Sequence, residues 1–349
     1  MINFFNSLKK ILFKSLSYCE KKIFLIIIKY FKLINIELIK IRKVINLYLY
    51  NNYYNYMYIS HIDTVSESNV KWILNPFLSL LFKKKIINRG IIDMKGSFIS
   101  VLFFNKKILN FILTNDEESV SIYGIQYTLN ILNIRKKKIY FFMGTEPTSE
   151  NIIGDYTKIS RRGSFNLKII FLGKNKHCAY IGKNLIKMLF KNFFFLKNDV
   201  KKFNILEYTN IFCGNNSDNF LSNKLFLKIN FRFNFLRKII ILKKKFLKFL
   251  ISKNVYIVWK LSGIPFFCYK NFFLKNIFNI IYYIQNIKTK INFLGGTSDL
   301  RYCFYIYQYS EIFELGLINK SIHKINENCF LDDCLILSII FYYFIYGIK

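Results

Sequence analysis

Four apolar runs in the first half of the chain each stop at an imidazole or a carboxylate. His61-Ile62-Asp63 follows the aromatic and branched run Tyr56 to Ser60, and Asp93-Met94-Lys95-Gly96 follows Ile91-Ile92. Asp116-Glu117-Glu118 follows a run ending at Thr114, and Glu146-Pro147-Thr148-Ser149 follows one ending near Met143. Short runs of this composition read as buried strands. Ligand-bearing groups at the carboxyl ends of strands are what an open α/β sheet presents at its binding edge.

The intervening segments agree with that layout. Helical patterns near residues 4 to 17 and 21 to 35 precede a strand at Asn46 to Tyr50. Phe98 to Leu109 reads as a helix, Phe111 to Thr114 as a short strand, Val120 to Leu132 as a helix and Lys138 to Met143 as a strand. Alternation of this kind predicts an α/β sheet covered by helices. After Arg161 the texture changes to strand-like Phe165 to Gly173 and Lys224 to Phe235 around lysine-rich helical stretches, which predicts a separate α+β domain. From Phe267 a helix, the loop Gly295 to Asp299, strand-like Phe304 to Tyr309 and a closing helix return to the first pattern. The expected division is therefore 1–161 with 267–349, interrupted by 162–266.

Composition narrows the function classes. A net charge of +33 in 349 residues suggests a polyanion partner, because basic faces gain affinity by displacing counterions from phosphates. The lysines are spread along the chain, however, and Lys, Asn, Ile, Phe and Tyr are together the residues that A- and T-rich codons favour, so no nucleic-acid partner is expected. No run reaches the roughly 18 uninterrupted apolar residues that cross a bilayer. Leu335 to Gly347 reads as a buried helix, and Lys9, Lys10 and Lys14 break the N-terminal apolar residues, so neither a membrane partner nor a signal peptide is expected. Seven scattered cysteines without a C-x-x-C pair argue against disulfides and a zinc knuckle, and fit a reducing cytoplasm.

Each acidic or imidazole group has an ordinary explanation when taken alone. A histidine at a strand end bonds readily to nearby backbone. Asp116 to Glu118 would stabilise the start of a following helix, Asp93 would cap one, and Glu146 would sit in a turn before Pro147. Together they demand more, because carboxylates gathered at one sheet edge repel one another unless something positive holds them. Mixed nitrogen and oxygen ligands suit zinc better than magnesium. Two metals bridged by one carboxylate need about five to six such groups, and the chain supplies them.

These motifs, with Arg89-Gly90 ahead of Asp93, resemble the successive signatures of M20-type di-zinc amidohydrolases. Further matches follow in order: Arg161-Arg162-Gly163-Ser164, His177-x-Ala179-Tyr180, Asn230-Phe231-Arg232-Phe233, Leu261-Ser262-Gly263-x-Pro265-Phe266, Gly295-Gly296-Thr297-Ser298-Asp299 and Ile322-His323-Lys324-x-Asn326-Glu327. They are similar to the succinyl-diaminopimelate desuccinylases from about residue 46 to the end. All three prolines and the sole alanine lie inside matched segments.

The resemblance implies a zinc-dependent exopeptidase-like α/β catalytic domain, with a mixed sheet and helices on both faces, and an inserted α+β lid and dimerisation domain. It implies two Zn2+ per subunit, replaceable by Co2+. His61 and Glu146 would hold one ion, Glu118 and His323 the other, and Asp93 would bridge both. Asp63 would orient His61, and Glu117 would act as general base toward a metal-bridged water. His177 would donate to the oxyanion from the partner subunit of a homodimer. Arg161 and Arg232 would pair substrate carboxylates, with Ser164, Tyr180, Asn219, Thr297 and Asn319 lining the pocket. The implied reaction is hydrolysis of the succinyl amide of N-succinyl-LL-2,6-diaminopimelate in lysine and diaminopimelate biosynthesis. An acetylornithine deacetylase or other M20 aminoacylase is the sister alternative, disfavoured by the Arg161 and Gly295 motifs, and a non-catalytic basic RNA-binding protein is the alternative of another class. Lys176, Leu300 and Leu317 depart from the family pattern, which has Gly, Gly and Pro there.

Overall fold

Tyr56–His61 is buried at every position, as a strand covered on both faces must be. This and every other contact below comes from a computed structural model, which describes residues 21–30, 35–68, 70–78, 80–104, 110–119, 121–180, 184–193, 205–214, 218–234, 236–250, 254–293 and 295–347. The helix expected at 4 to 17 lies outside the described residues.

In chain order the structure forms α1 (Lys21–Tyr30), β1 (Asn35–Ile41), β2 (Val44–Tyr50), β3 (Tyr56–His61), α2 (Gly96–Phe104), β4 (Phe111–Thr114), α3 (Ile125–Ile134) and β5 (Phe141–Gly144). Next come β6 (Gly163–Leu172), α4 (Leu185–Phe193), β7 (Ile205–Cys213), β8 (Lys224–Phe233), α5 (Leu236–Leu250) and β9 (Val255–Gly263). The chain closes with α6 (Phe272–Gln285), α7 (Leu300–Ile306), β10 (Glu311–Glu314) and α8 (Leu331–Gly347). Two compact units result: Met1–Ser160 with Phe267–Phe293 and Ser298–Lys349, and Arg161–Phe266 with Leu294–Thr297.

The first unit holds a six-stranded sheet in the order β1-β2-β4-β3-β5-β10. β4, β3, β5 and β10 run parallel, while β1 and β2 add an antiparallel edge. Successive strand residues point to opposite faces. Leu47, Leu49, Tyr56, Tyr58, Phe111, Leu113, Phe141, Met143 and Phe313 join one core with residues of α1, α2, α6 and α8. The intervening Met57, Ile59, Ile112, Phe142 and Ile312 are equally buried outside that core, and α3 and α7 pack on each other and on β4 and β5. The sheet is thus sandwiched, and four parallel strands deliver their carboxyl ends to one edge.

The structure departs from three sequence expectations. Phe304 to Tyr309 is not a strand: α7 occupies 300–306, with Leu300 and Cys303 buried three residues apart, and the strand comes later as β10. The helix expected from Val120 begins at Ile125, because Asp116 accepts bonds from Ser119 Oγ and the Tyr123 amide and holds both residues outside it. The second N-terminal helix, described over Lys21–Tyr30, does not extend to residue 35, because Asn35 already pairs with Tyr50 in a hairpin.

The second unit is an antiparallel sheet in the order β7-β8-β6-β9. Phe165, Leu167, Ile169 and Phe171 of β6 and Leu225, Leu227, Ile229, Phe231 and Phe233 of β8 bury one face against Leu185, Leu189, Ile239, Leu242 and Phe246 of the helices. The opposite face of β6 and β8 carries polar pairs in register, Ser164 with Arg232 and Asn166 with Asn230. Among the described residues no helix is long and apolar enough to cross a membrane.

Candidate metal centre

His61 is the last residue of β3 and is buried. Its Nδ1 donates to the Asp63 carbonyl at 2.9 Å, which turns Nε2 toward Asp93 Oδ1 at 3.1 Å. A carbonyl only accepts, so this bond fixes which ring nitrogen is offered to a ligand. The Asp63 carboxylate lies 3.6 Å from the same Nδ1, and its two oxygens accept the amide hydrogens of Glu117 at 3.3 Å and Glu118 at 3.0 Å. Asp63 thus ties the end of β3 to the acidic turn after β4. Burial pushes its carboxyl up to about 6.

Asp93 sits in the single turn Ile91–Lys95 ahead of α2. The turn starts at Gly90, whose φ of 82° is left-handed and whose missing side chain leaves room for Thr64: a Cβ there would lie 2.2 Å from Thr64 Cγ2. Asp93 Oδ2 lies 3.0 Å from Nε2 of His323, which in turn is 3.0 Å from Glu118 Oε1. Glu146, two residues past β5, brings Oε1 within 4.0 Å of His61 Nε2. His61, Asp93 and Glu146 therefore form one candidate ligand group and Asp93, Glu118 and His323 a second, with Asp93 common to both. His61, Glu117 and Glu118 make a third overlapping group.

The donor set fits two cations. Ligand atoms held about 2.0 to 2.2 Å from one tetrahedral zinc lie roughly 3.3 Å apart, close to the spacings of 3.0 and 3.1 Å seen around Asp93. The electrostatics ask for positive charge as well. Burial, together with the Asp299, Glu146 and Glu118 carboxylates, pushes the Glu117 carboxyl well above its ordinary range, while His61 pulls it down. Burial opposes charge on His61, yet the Asp93 hydrogen bond and the Asp93, Glu117 and Asp63 charges raise its affinity for a proton well above normal. His323 is raised to about 10 by its bonds to Asp93 and Glu118. In the metal-free protein these imidazoliums supply the positive charge that the carboxylates require.

Asp299 closes the Gly295 to Asp299 motif, and the sequence alone assigns no chemistry to this position. Its buried carboxylate lines the same cavity as His61, Glu117 and Glu146, accepts a 2.5 Å bond from Ser121 Oγ and lies 3.6 Å from the buried Arg301 guanidinium. The departures from the family pattern are absorbed by packing: Leu300 and Leu317 are buried, and a Cβ on Gly144 or Gly96 would lie 2.8 Å from them respectively. Lys176 is exposed on a two-residue strand beside Leu221.

The expected substrate contacts fall in two places. Asn319 belongs to the first unit, where its amide donates to the Ser149 carbonyl and its own carbonyl accepts from Ile322, one residue before His323. The others lie in the second unit. Ser164 is paired with Arg232 on one side and Gly263 on the other, and Thr297 packs on Gly263. Asn230 links Arg232 Nε to Ser164 Oγ. Burial and the neighbouring Arg162 guanidinium lower the proton affinity of Arg232. Arg161 is buried next to Arg162 in sequence. His177, Tyr180 and Asn219 share one exposed ribbon, where His177 pairs with Phe220, stands 6.1 Å from the Tyr180 ring and precedes Cys178, whose amide donates to the Asn219 carbonyl.

Residues 57–346 match the model of peptidase family M20/M25/M40. The chain is 34% identical over 344 residues to the succinyl-diaminopimelate desuccinylase of Wigglesworthia glossinidia brevipalpis, covering 88% of each chain. Its fold matches an M20 metallo-carboxypeptidase of Sulfolobus solfataricus with a TM-score of 0.77 at 16% identity, over 100% of this chain and 99% of the other. It also matches a dinuclear metal-binding M20 peptidase of Bacillus subtilis with a TM-score of 0.69 at 12% identity, over 100% and 99%. The mixed sheet with its acid-tipped parallel strands is accordingly the fold of these enzymes, and the chain belongs to peptidase family M20/M25/M40.

Proposed function

We propose that this protein is a metal-dependent amidohydrolase that cleaves N-succinyl-LL-2,6-diaminopimelate to succinate and LL-2,6-diaminopimelate, a step of lysine and diaminopimelate biosynthesis. The observation that carries the reading is the Asp93 carboxylate, with one oxygen facing His61 and the other facing His323, in a chain similar along most of its length to desuccinylases. His61 with Glu146 and His323 with Glu118 would hold two zinc ions, or cobalt in their place, and Asp93 would join them. Such ions polarise an amide carbonyl and make water acidic enough to ionise near neutral pH.

The protein's own groups do the rest. Glu117 is the acid beside the ligand Glu118, and the crowding of carboxylates around it raises its affinity for a proton. It is suited to take a proton from the attacking water and return it to the departing amine. Asp63 holds the Glu117 and Glu118 amides, so the base keeps its place while the proton moves. Arg161 and Arg232 pair the substrate carboxylates through parallel hydrogen bonds, with Ser164, Thr297, Tyr180, Asn219 and Asn319 as further contacts. His177 donates to the developing oxyanion from the second copy of a homodimer formed through the Arg161–Phe266 unit. The protein works in the cytoplasm.

The test compares turnover of N-succinyl-LL-2,6-diaminopimelate and N-acetylornithine by zinc-loaded protein. At least a hundredfold preference for the succinyl substrate, about 2.7 kcal/mol of discrimination, is expected. Preference for the acetyl substrate would reassign the protein to the deacetylases, and salt-sensitive RNA binding without zinc would remove it from the enzymes.

A further inference from the structure

One buried carboxylate outside the ligand set clamps the segment that delivers His323 to the turn that delivers Asp93. Glu327 lies four residues after His323 and is fully buried. Its Oε1 accepts the amide hydrogens of Ile92 at 3.0 Å and of Asp93 itself at 3.4 Å. Its Oε2 accepts from Arg89 Nη1 at 2.8 Å, and the same nitrogen donates to the Lys324 carbonyl at 3.2 Å. The Glu327 carbonyl accepts from the Asn88 amide at 3.1 Å. Arg89 is buried in turn, with its guanidinium carbon 4.7 Å above the Trp72 ring. Two loops more than two hundred residues apart in sequence are therefore locked together within one residue of Asp93.

We infer that Glu327 is a positioning residue for the metal pair. By holding the Asp93 amide it fixes the rotation of that residue, so that both carboxylate oxygens stay aimed at His61 and His323, and by bonding Arg89 it sets the His323 segment at the matching distance. This rests on the metal-centre reading above. A purely stabilising ion pair makes a different prediction. A buried pair can often be replaced by apolar residues without loss of stability, whereas groups that orient metal ligands typically cost about 10- to 100-fold in metal affinity when changed.

The experiment titrates zinc into metal-free protein against a chromogenic chelator, for wild type, Glu327→Gln, Glu327→Asp and the double variant Arg89→Met/Glu327→Met, with circular dichroism to verify folding. Folded variants are expected to bind zinc about 10- to 100-fold more weakly. Excess zinc should bring kcat back to within about threefold of wild type with KM unchanged, because Glu327 is fully buried and presents no surface to a substrate. The double variant covers the case in which a single charge left in the interior prevents folding. Zinc affinity within about twofold of wild type in any folded variant overturns the proposal, since orienting partners do not behave so. Wild-type protein that binds no zinc overturns both this inference and the metal-centre reading. Wild-type protein that binds zinc but leaves the succinyl substrate intact overturns the substrate assignment alone, because the zinc titration is read without substrate.

Discussion

The Asp63 carboxylate accepts the amide hydrogen of Glu118 at 3.0 Å, so the acid after β3 holds the peptide of the acid after β4. Its other oxygen holds the Glu117 amide at 3.3 Å. The hydrogen bond to the His61 imidazole is made by the Asp63 backbone carbonyl, while the Asp63 carboxylate lies 3.6 Å from the same nitrogen.

That arrangement sets the outcome of Asp63→Asn. Both oxygens face N–H donors, so an amide satisfies one and opposes the other. An unsatisfied buried donor costs about 1 to 3 kcal/mol, and the supported metal site should lose roughly 10- to 100-fold in affinity or activity. Thermal melting and zinc titration check the two effects, and a variant with unchanged values in both would contradict the role.

Glu117→Gln should separate catalysis from stability. Glu117 is crowded by Asp299, Glu146 and Glu118 in a buried setting, and glutamine keeps the shape without the charge. Loss of the proton carrier should reduce kcat by about 10²- to 10⁴-fold. Removal of a repelled carboxylate should leave the metal-free protein at least as stable as wild type, and a clear fall in its melting temperature would show that the charge serves the fold instead.

How much of this was legible depended on whether local pattern or distant contact set the structure. The strand ends at His61 and Thr114 were readable, because aromatic and branched residues there alternate between two buried faces. The hairpin of β1 and β2 was not, since its two-residue turn is Arg42-Lys43, with Arg42 at a φ of 52° and no Gly or Asn to mark it. Nor was β10, whose terminal acids look like surface residues. Glu311 is buried because it accepts the amides of Phe273 and Leu274 at the start of α6, and Glu314 because it accepts from Ser298. The candidate ligand residues were visible as acids and histidines out of place in a lysine-rich chain. The hydrogen-bond partners of Glu327 and Asp299 lie 235 and 178 residues away, which no local spacing reveals.

Proton linkage gives a third prediction. His323 is raised to about 10 in the metal-free protein by Asp93 and Glu118, against about 6.5 when unfolded. Its contribution to stability is therefore complete below about pH 6.5 and is lost as pH rises toward 10. Metal affinity must run the other way, because a ligating imidazole is neutral and gives up that proton. Calorimetry of zinc binding in buffers of different ionisation enthalpy should show release of at least one proton near pH 8, with affinity rising from pH 7 to 9. Binding without proton release would mean that His323 is not a ligand.

Gly316 is buried and carries no charge, yet its place beside Glu146 yields a fourth prediction. Gly316 follows β10 by two residues, and an added Cβ would lie 2.2 Å from the Glu146 carbonyl oxygen, 2.7 Å from its carbon and 2.7 Å from the Thr145 oxygen. All three are backbone atoms, so no side chain can swing aside to make room. The glycine is also tied in place, its amide donating to Thr148 Oγ1 at 3.1 Å and its carbonyl accepting from Ser149 Oγ at 2.8 Å. Gly316→Ala must therefore push the Glu146 peptide away from the strand edge, at a cost of about 1 to 3 kcal/mol for an overfilled site. Glu146 already stands farther from His61, at 4.0 Å, than the other candidate ligands stand from their partners. If His61 and Glu146 hold one zinc and Glu118 and His323 the other, the same displacement should weaken the first while leaving the second, so titration should show one tight and one weakened site. Two unaltered sites in a destabilised variant would show that Glu146 is not held by this contact.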